Sequence, residues 1–193
     1  MNRLSILLAG LLIVACSSCN YSKYPIDKKP MVKVDEGLYG IWKVKSDTDR
    51  RNFILVQDGT EDGFKRKDRE HEYYVTYFNR GGINRGLENF NAYFSEVEGA
   101  KFINLAYVNW GEKEIKERGY VLFKILSVDD SKSNIVISLL DDPELQKLGS
   151  SKEVRDRVAK EINNAKLYPE KYELYNVAKG HFTQRQAVER ANK

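Results

Sequence analysis

Asn91-Ala92-Tyr93-Phe94-Ser95-Glu96-Val97-Glu98-Gly99-Ala100-Lys101-Phe102-Ile103-Asn104-Leu105-Ala106-Tyr107-Val108 decides the fold class. Two alternating runs, 91–97 and 101–108, are rich in aromatic and aliphatic side chains that pack well on a pleated surface. Between them stands Glu98-Gly99, a turn signal. Outward from this pair the same grammar repeats. Candidate strands cover 41–45, 52–57, 73–78, 119–128, 134–140 and 172–177, with turn signals at Asp58-Gly59, Arg80-Gly81-Gly82 and Asp129-Asp130-Ser131. About eight short strands at near-regular spacing predict a mainly β domain, an antiparallel barrel or sandwich. The alternation satisfies both.

One segment interrupts the strands. Asp142-Pro143 reads as an N-cap followed by the first helical position, and Leu145, Leu148 and Gly149 close a short turn. Ser150-Ser151-Lys152-Glu153 is a capping box, with Ser150 accepting from the backbone and Glu153 returning the bond. Val154, Val158 and Ile162 then form one apolar stripe, so a helix is predicted near 150–163, before the last strand. The tail, 180–193, is charged and is expected as frayed helix or coil.

The amino-terminal end has a different character. Arg3 precedes Leu4-Ser5-Ile6-Leu7-Leu8-Ala9-Gly10-Leu11-Leu12-Ile13-Val14-Ala15, an uncharged apolar run that ends at Cys16. About twenty such residues are needed to span a bilayer, so this run has the length of a signal-peptide core. Ile13-Val14-Ala15-Cys16 resembles the lipobox of bacterial lipoproteins. That resemblance implies diacylglycerol on the Cys16 thiol and cleavage just before it, with Cys19 as the alternative site of lipidation. Free secretion after cleavage is the competing outcome. Segment 1–15 is then a signal peptide and 16–36 a lipidated cysteine with a flexible tether, since Pro25 and Pro30 oppose regular structure. No cysteine lies beyond residue 19, so no disulfide framework supports the domain, 37–179.

Charge excludes one class of partner. The 32 Lys and Arg are offset by 28 Asp and Glu along the whole chain, which is a mixed solvated surface and no nucleic-acid footprint. The most basic stretch, Lys65-Arg66-Lys67-Asp68-Arg69, is surrounded by acids and reads as a loop.

Leu38-Tyr39-Gly40-Ile41-Trp42, followed by strand-rich sequence, resembles the opening of calycin-type domains, including lipocalins. In that group a Gly-x-Trp motif begins the first strand and the Trp plugs one end of a barrel. Two features differ from the group: the helix precedes the last strand, and no Arg in a late strand stands out to stack on Trp42. The chain also resembles the small Asn-, Lys- and Tyr-rich lipoproteins of unknown function found in Bacteroidota. This implies an anchor in the outer membrane, facing the periplasm, and no particular activity.

Chemistry is sparse. His71 and His181 are the only histidines and neither has metal-ligand spacing, so no metal or cofactor is expected. Asp58-Gly59-Thr60-Glu61-Asp62-Gly63 touches the calcium-loop pattern, but position 12 is Arg69 where a Glu is required. No Gly-x-Ser-x-Gly elbow is present, and the acid pairs Asp47/Asp49 and Asp141/Asp142 read as turn-formers and caps. Arg80-Gly81-Gly82-Ile83-Asn84-Arg85-Gly86 lacks the Lys-Ser/Thr of a phosphate loop. The expectation is therefore a non-enzymatic envelope protein. Tyr73, Tyr74, Tyr77, Phe78, Phe90, Tyr93, Phe94, Phe102, Tyr107 and Trp110 crowd one third of the chain. If alternate members point inward, an eight-stranded barrel has room for one small apolar ligand; if they fill the core, none remains. The membrane, an apolar small molecule and an envelope protein are the expected partners. A structural or inhibitory interaction module without a cavity is the alternative.

Overall fold

The computed structural model describes residues 21–45, 52–58, 70–79, 87–108 and 119–192. Its strands are β1 (Gly40–Val44), β2 (Asn52–Gln57), β3 (Tyr73–Asn79), β4 (Glu88–Val97), β5 (Ala100–Val108), β6 (Tyr120–Val128), β7 (Asn134–Leu139) and β8 (Lys171–Lys179). Each is antiparallel to its neighbour in sequence, and β8 pairs back on β1. The sheet therefore closes as an eight-stranded barrel. Between barrel and sandwich, the barrel forms, and closure removes the edges that an open sheet would have to protect.

Local chemistry explains the turns. Glu98 and Gly99 both take positive φ, 48° and 77°, the geometry that matches strand twist in a two-residue hairpin. Asp129 organises the β6–β7 connection. One carboxylate oxygen accepts from the backbone of Ser133 and Asn134, and the other from the Ser131 hydroxyl and the Asn134 amide. These donors hold its carboxyl well below the usual carboxylate range.

The seam between β1 and β8 depends on Gly40. Its φ is 145°, and a Cβ there would lie 2.3 Å from the Ala178 carbonyl oxygen. The register also shifts between Ile41 and Trp42, which face Ala178 and Asn176. The Gly of the Gly-x-Trp motif is thus the residue that lets the first strand meet the last.

The helix α1 (Ser151–Glu161) lies where the sequence predicts it, capped by the Ser150 hydroxyl at 3.3 Å from the Glu153 backbone nitrogen. The return bond differs by one residue: the Glu153 carboxylate accepts from Gly149. Asp142 caps a 3-10 turn at Pro143–Lys147 and also holds Arg157 at 2.7 Å. Two expectations need correction. The tail contains a second ordered helix, α2 (Gln184–Ala191), started by a full capping box from Thr183 and Gln186. Its apolar signal, Ala187, Val188 and Ala191, spans little more than one turn and is too short to be read as periodicity. The described part of the expected tether, 21–36, is also ordered. Ser22 exchanges two backbone hydrogen bonds with Tyr120, and Ile26 is 1% exposed.

These additions cover the barrel's outer wall. Ile26, α1 and the 3-10 turn bury Phe102, Leu122 and Val97. On the other side α2 buries Ile41, Phe53, Leu55 and Phe78. Polar anchors fix both covers. Asn104 accepts from Ile26 N and donates to Tyr93 O and Ser95 Oγ. Gln184 of α2 donates to Thr76 Oγ1 and Asn89 Oδ1, all buried.

Gly40→Ala is expected to open the seam. Positive-φ strain alone costs on the order of 1–3 kcal/mol, and the clash with the Ala178 carbonyl adds to it. Urea unfolding should show a loss at the top of that range or beyond, with Gly99→Ala, whose Cβ meets nothing within 4 Å, costing less.

Candidate functional site

Alternation along closed strands gives every strand one inward row. Trp42 of β1, Ile54 and Val56 of β2, Tyr73, Val75 and Tyr77 of β3 project into the lumen. Phe90, Ala92 and Phe94 of β4 and Ile103 and Leu105 of β5 continue the wall. Phe123, Ile135, Ile137 and Leu174, from the last three strands, complete it.

One end is plugged. The 3-10 turn Glu36–Leu38 lies across it, started by Asp35, whose side chain accepts from Gly37 N. Trp42 donates its indole N–H to the Leu38 carbonyl at 2.9 Å and is 2% exposed. Tyr73 adds a phenol oxygen that accepts from Asp35 N at 2.5 Å. Tyr39 packs edge-on to Tyr73 and to the His181 ring, at 6.0 and 4.7 Å between centroids. No late-strand Arg faces Trp42; the position across from it is Asn176, whose amide atoms are buried and lack a hydrogen-bond partner among the described residues.

Between this plug and the far end lies a cavity of about 140 Å³, partly open, whose accessible wall is wholly apolar. Burial is uneven on both faces of the barrel. Outward residues such as Leu55, Phe102 and Leu122 are 0–1% exposed, while the inward Ile54, Val75, Ile103 and Leu174 are only half-buried. The aromatic part of the inward row is buried, with Trp42, Tyr73 and Phe90 at 2–4%, and its aliphatic part keeps apolar surface accessible in the lumen.

The crowd of aromatics divides as alternation requires. Tyr73, Tyr77, Phe90 and Phe94 line the cavity, whereas Tyr74, Phe78, Tyr93 and Phe102 are not among the lining residues. Phe90 rests against Tyr107 at 4.6 Å and Tyr73 against Phe94 at 5.2 Å. The rings therefore narrow the lumen without filling it. Cys16, Cys19, Asp47, Asp49, Trp110, the 80–86 loop and 59–69 lie outside the described residues. His71 and His181 join no group of three His, Cys, Asp or Glu able to hold a metal, among the described residues. Asp142 is committed to Arg157, and its 3% exposure keeps it from solvent. What the sequence reading missed is the aliphatic half of the wall: Ile54, Val56, Ile103, Leu105, Ile135 and Leu174. Their signal was available as the inward parity of strands already located.

The lumen's chemistry follows from its wall. Among the described residues its ionisable groups are the phenols of Tyr73 and Tyr77, and burial pushes Tyr73 well above the usual range. No carboxylate, thiol or hydroxymethyl group is among the described lining residues. Such a site holds a ligand by removing apolar area from water and by dispersion contacts, with shape alone setting orientation. Compared with known protein families, curated proteins and solved structures, the chain gives no match.

The phenols predict an alkaline limit. Burial, with Asp142 and Glu161 nearby, pushes Tyr168 up to about 12, and burial with Glu170 raises Tyr172 further. The native state keeps protons that the unfolded chain releases above roughly pH 10, so stability falls with pH from there upward. Denaturation at stepped pH should show a plateau below that point and a decline above it. Tyr168→Phe, which also removes an unpartnered buried hydroxyl, should flatten part of the decline.

Proposed function

We propose that this chain is a non-enzymatic lipoprotein of the cell envelope, anchored through Cys16 or Cys19, that binds a small apolar ligand in its barrel lumen. The observation that carries the binding half is an accessible, wholly apolar lumen of about 140 Å³ whose aliphatic wall, Ile54, Val75, Ile103 and Leu174, is only half-buried. A cavity of roughly that size lined by hydrocarbon admits benzene and stays free of water. It lies below the ~300 Å³ at which drug-sized pockets begin. The lumen thus suits a compact hydrocarbon or one end of a longer apolar molecule. The anchor half rests on the uncharged apolar run ending at Ile13-Val14-Ala15-Cys16, and outer-membrane placement facing the periplasm is part of the same reading.

Two measurements test the two halves separately. For binding, benzene and a series of n-alkyl alcohols are titrated into anchor-free protein while thermal unfolding is followed. At a hundred times Kd a ligand adds about 2.7 kcal/mol of stability. Ala92→Leu and Ile135→Phe, which grow into the lumen, should abolish the shift while leaving the barrel folded. Unchanged unfolding with every probe, and no bound molecule in native mass spectra of protein purified from its host, would favour an interaction module instead. For the anchor, metabolic palmitate labelling should survive only one of Cys16→Ala and Cys19→Ala; unlabelled wild type overturns it.

A further inference from the structure

We infer that the barrel is held with the end opposite the Trp42 plug against the membrane. This rests on the anchor reading and deepens it, because it follows from where the chain enters the fold.

Register identifies the ends. Gly40 pairs with Val56, Val56 with Val75, and Tyr73 with Ala92, all at the plugged end. The β4–β5 hairpin at Val97 and Ala100 turns there too. Strand β5 therefore runs away from the plug, and β6 begins at the far end, where Ala106 faces Tyr120. The amino-terminal segment docks at that far end. Ser22 N donates to Tyr120 O at 2.8 Å, and Tyr120 N donates to Ser22 O at 2.7 Å. The contact is built in: Gly119, at φ 63°, has no Cβ where one would meet the Ser22 carbonyl oxygen at 2.4 Å and the Tyr21 ring at 2.6 Å.

From Ser22 the segment descends the outer wall. Ile26 N donates to Asn104 Oδ1, the Tyr93 hydroxyl donates to Asp27 O, and Arg155 pairs with Asp27 at 2.6 Å. At the plugged end Lys132 pairs with Asp35 and Val34 N donates to Glu70 O. Segment 22–35 is thus held to the barrel along its length.

Chain length then limits orientation. At ~3.5 Å per residue, Tyr21 lies within about 17 Å of Cys16 and about 7 Å of Cys19. Strand β6 spans nine residues, about 26 Å of strand and roughly 20 Å along a barrel axis at ordinary tilt. Either acylated cysteine therefore brings the far end to the bilayer, and neither lets the plugged end rest on it.

The test uses the full-length, cell-processed protein in vesicles of phosphatidylethanolamine and phosphatidylglycerol doped with spin-labelled headgroups. The cysteine that palmitate labelling shows to be unmodified is changed to Ser. A bimane fluorophore is then placed at Lys171→Cys, exposed at the far end, or at Asp130→Cys, exposed in the β6–β7 turn at the plugged end. Quenching at 171 should exceed that at 130 at least threefold. Ser22→Pro, which removes one of the two bonds to Tyr120, should bring the ratio toward one while near-ultraviolet circular dichroism confirms the barrel. Equal quenching, or stronger quenching at 130, in palmitate-labelled protein overturns the orientation and leaves the anchor standing. Unlabelled protein overturns the anchor, and the orientation with it.

Discussion

Everything in this molecule depends on β1 closing on β8, and that closure depends on the absence of a side chain at Gly40. The Ala178 carbonyl passes 2.3 Å from where a Cβ would stand. With the seam shut, no strand edge is left to pair with another chain. Closure also fixes Trp42 next to the seam, with its N–H on the Leu38 carbonyl, so the same short stretch both shuts the sheet sideways and plugs it at one end. Without it the inward row would be one face of an open sheet, with no enclosed volume.

A closed sheet of this composition has two apolar faces, and the protein treats them differently. The outer face is covered by pieces of chain that lie outside the barrel: Ile26, α1 with the 3-10 turn before it, and α2. The inner face is left partly uncovered. A cavity of about 140 Å³ forgoes, at ~24 cal/mol per Å³, about 3 kcal/mol that tighter packing would supply. Larger side chains at Ala92 or Val75 would recover some of it. The outer covers offset that loss: burying one Ile or Leu side chain contributes about 1.5–3 kcal/mol, and Ile26, Val154, Val158 and Leu145 are each 0–2% exposed. The outer covers thus supply part of the stability that the incompletely packed lumen forgoes.

How much of this could be read in the sequence follows from what each feature requires. The strands were legible because alternation is local, and α1 because Ser150 and Glu153 announce its start. Barrel against sandwich was not, since closure is decided by a long-range pairing of β1 with β8, from Gly40 with Lys179 to Val44 with Leu174. Of the site, the aromatic half was legible and the aliphatic half was overlooked, because Ile54 or Leu174 read as ordinary core until closure of the sheet places them on the lumen wall. The order of 21–36 was hidden for another reason. Its Pro, Lys and Ser describe a soluble linker, and the single apolar anchor, Ile26, finds its place only against Asn104, 78 residues away. Gln184 was equally silent, as its partners Thr76 and Asn89 come from distant strands.

The amino-terminal segment therefore has two physical roles that cannot be separated. As a cover, it shields Phe102 and Leu122 through Ile26; as the stretch nearest the proposed anchor, it transmits any displacement of the membrane to the barrel wall. Releasing it would expose Ile26 along with the surface beneath, and leave the Asn104 amide short of a partner, a buried group whose loss of a bond costs about 1–3 kcal/mol. A flexible tether of the same length would impose neither cost and no preferred orientation. Docking the segment stiffens it, so under the proposed anchoring the barrel's stability and its attitude to the bilayer would be set by the same contacts.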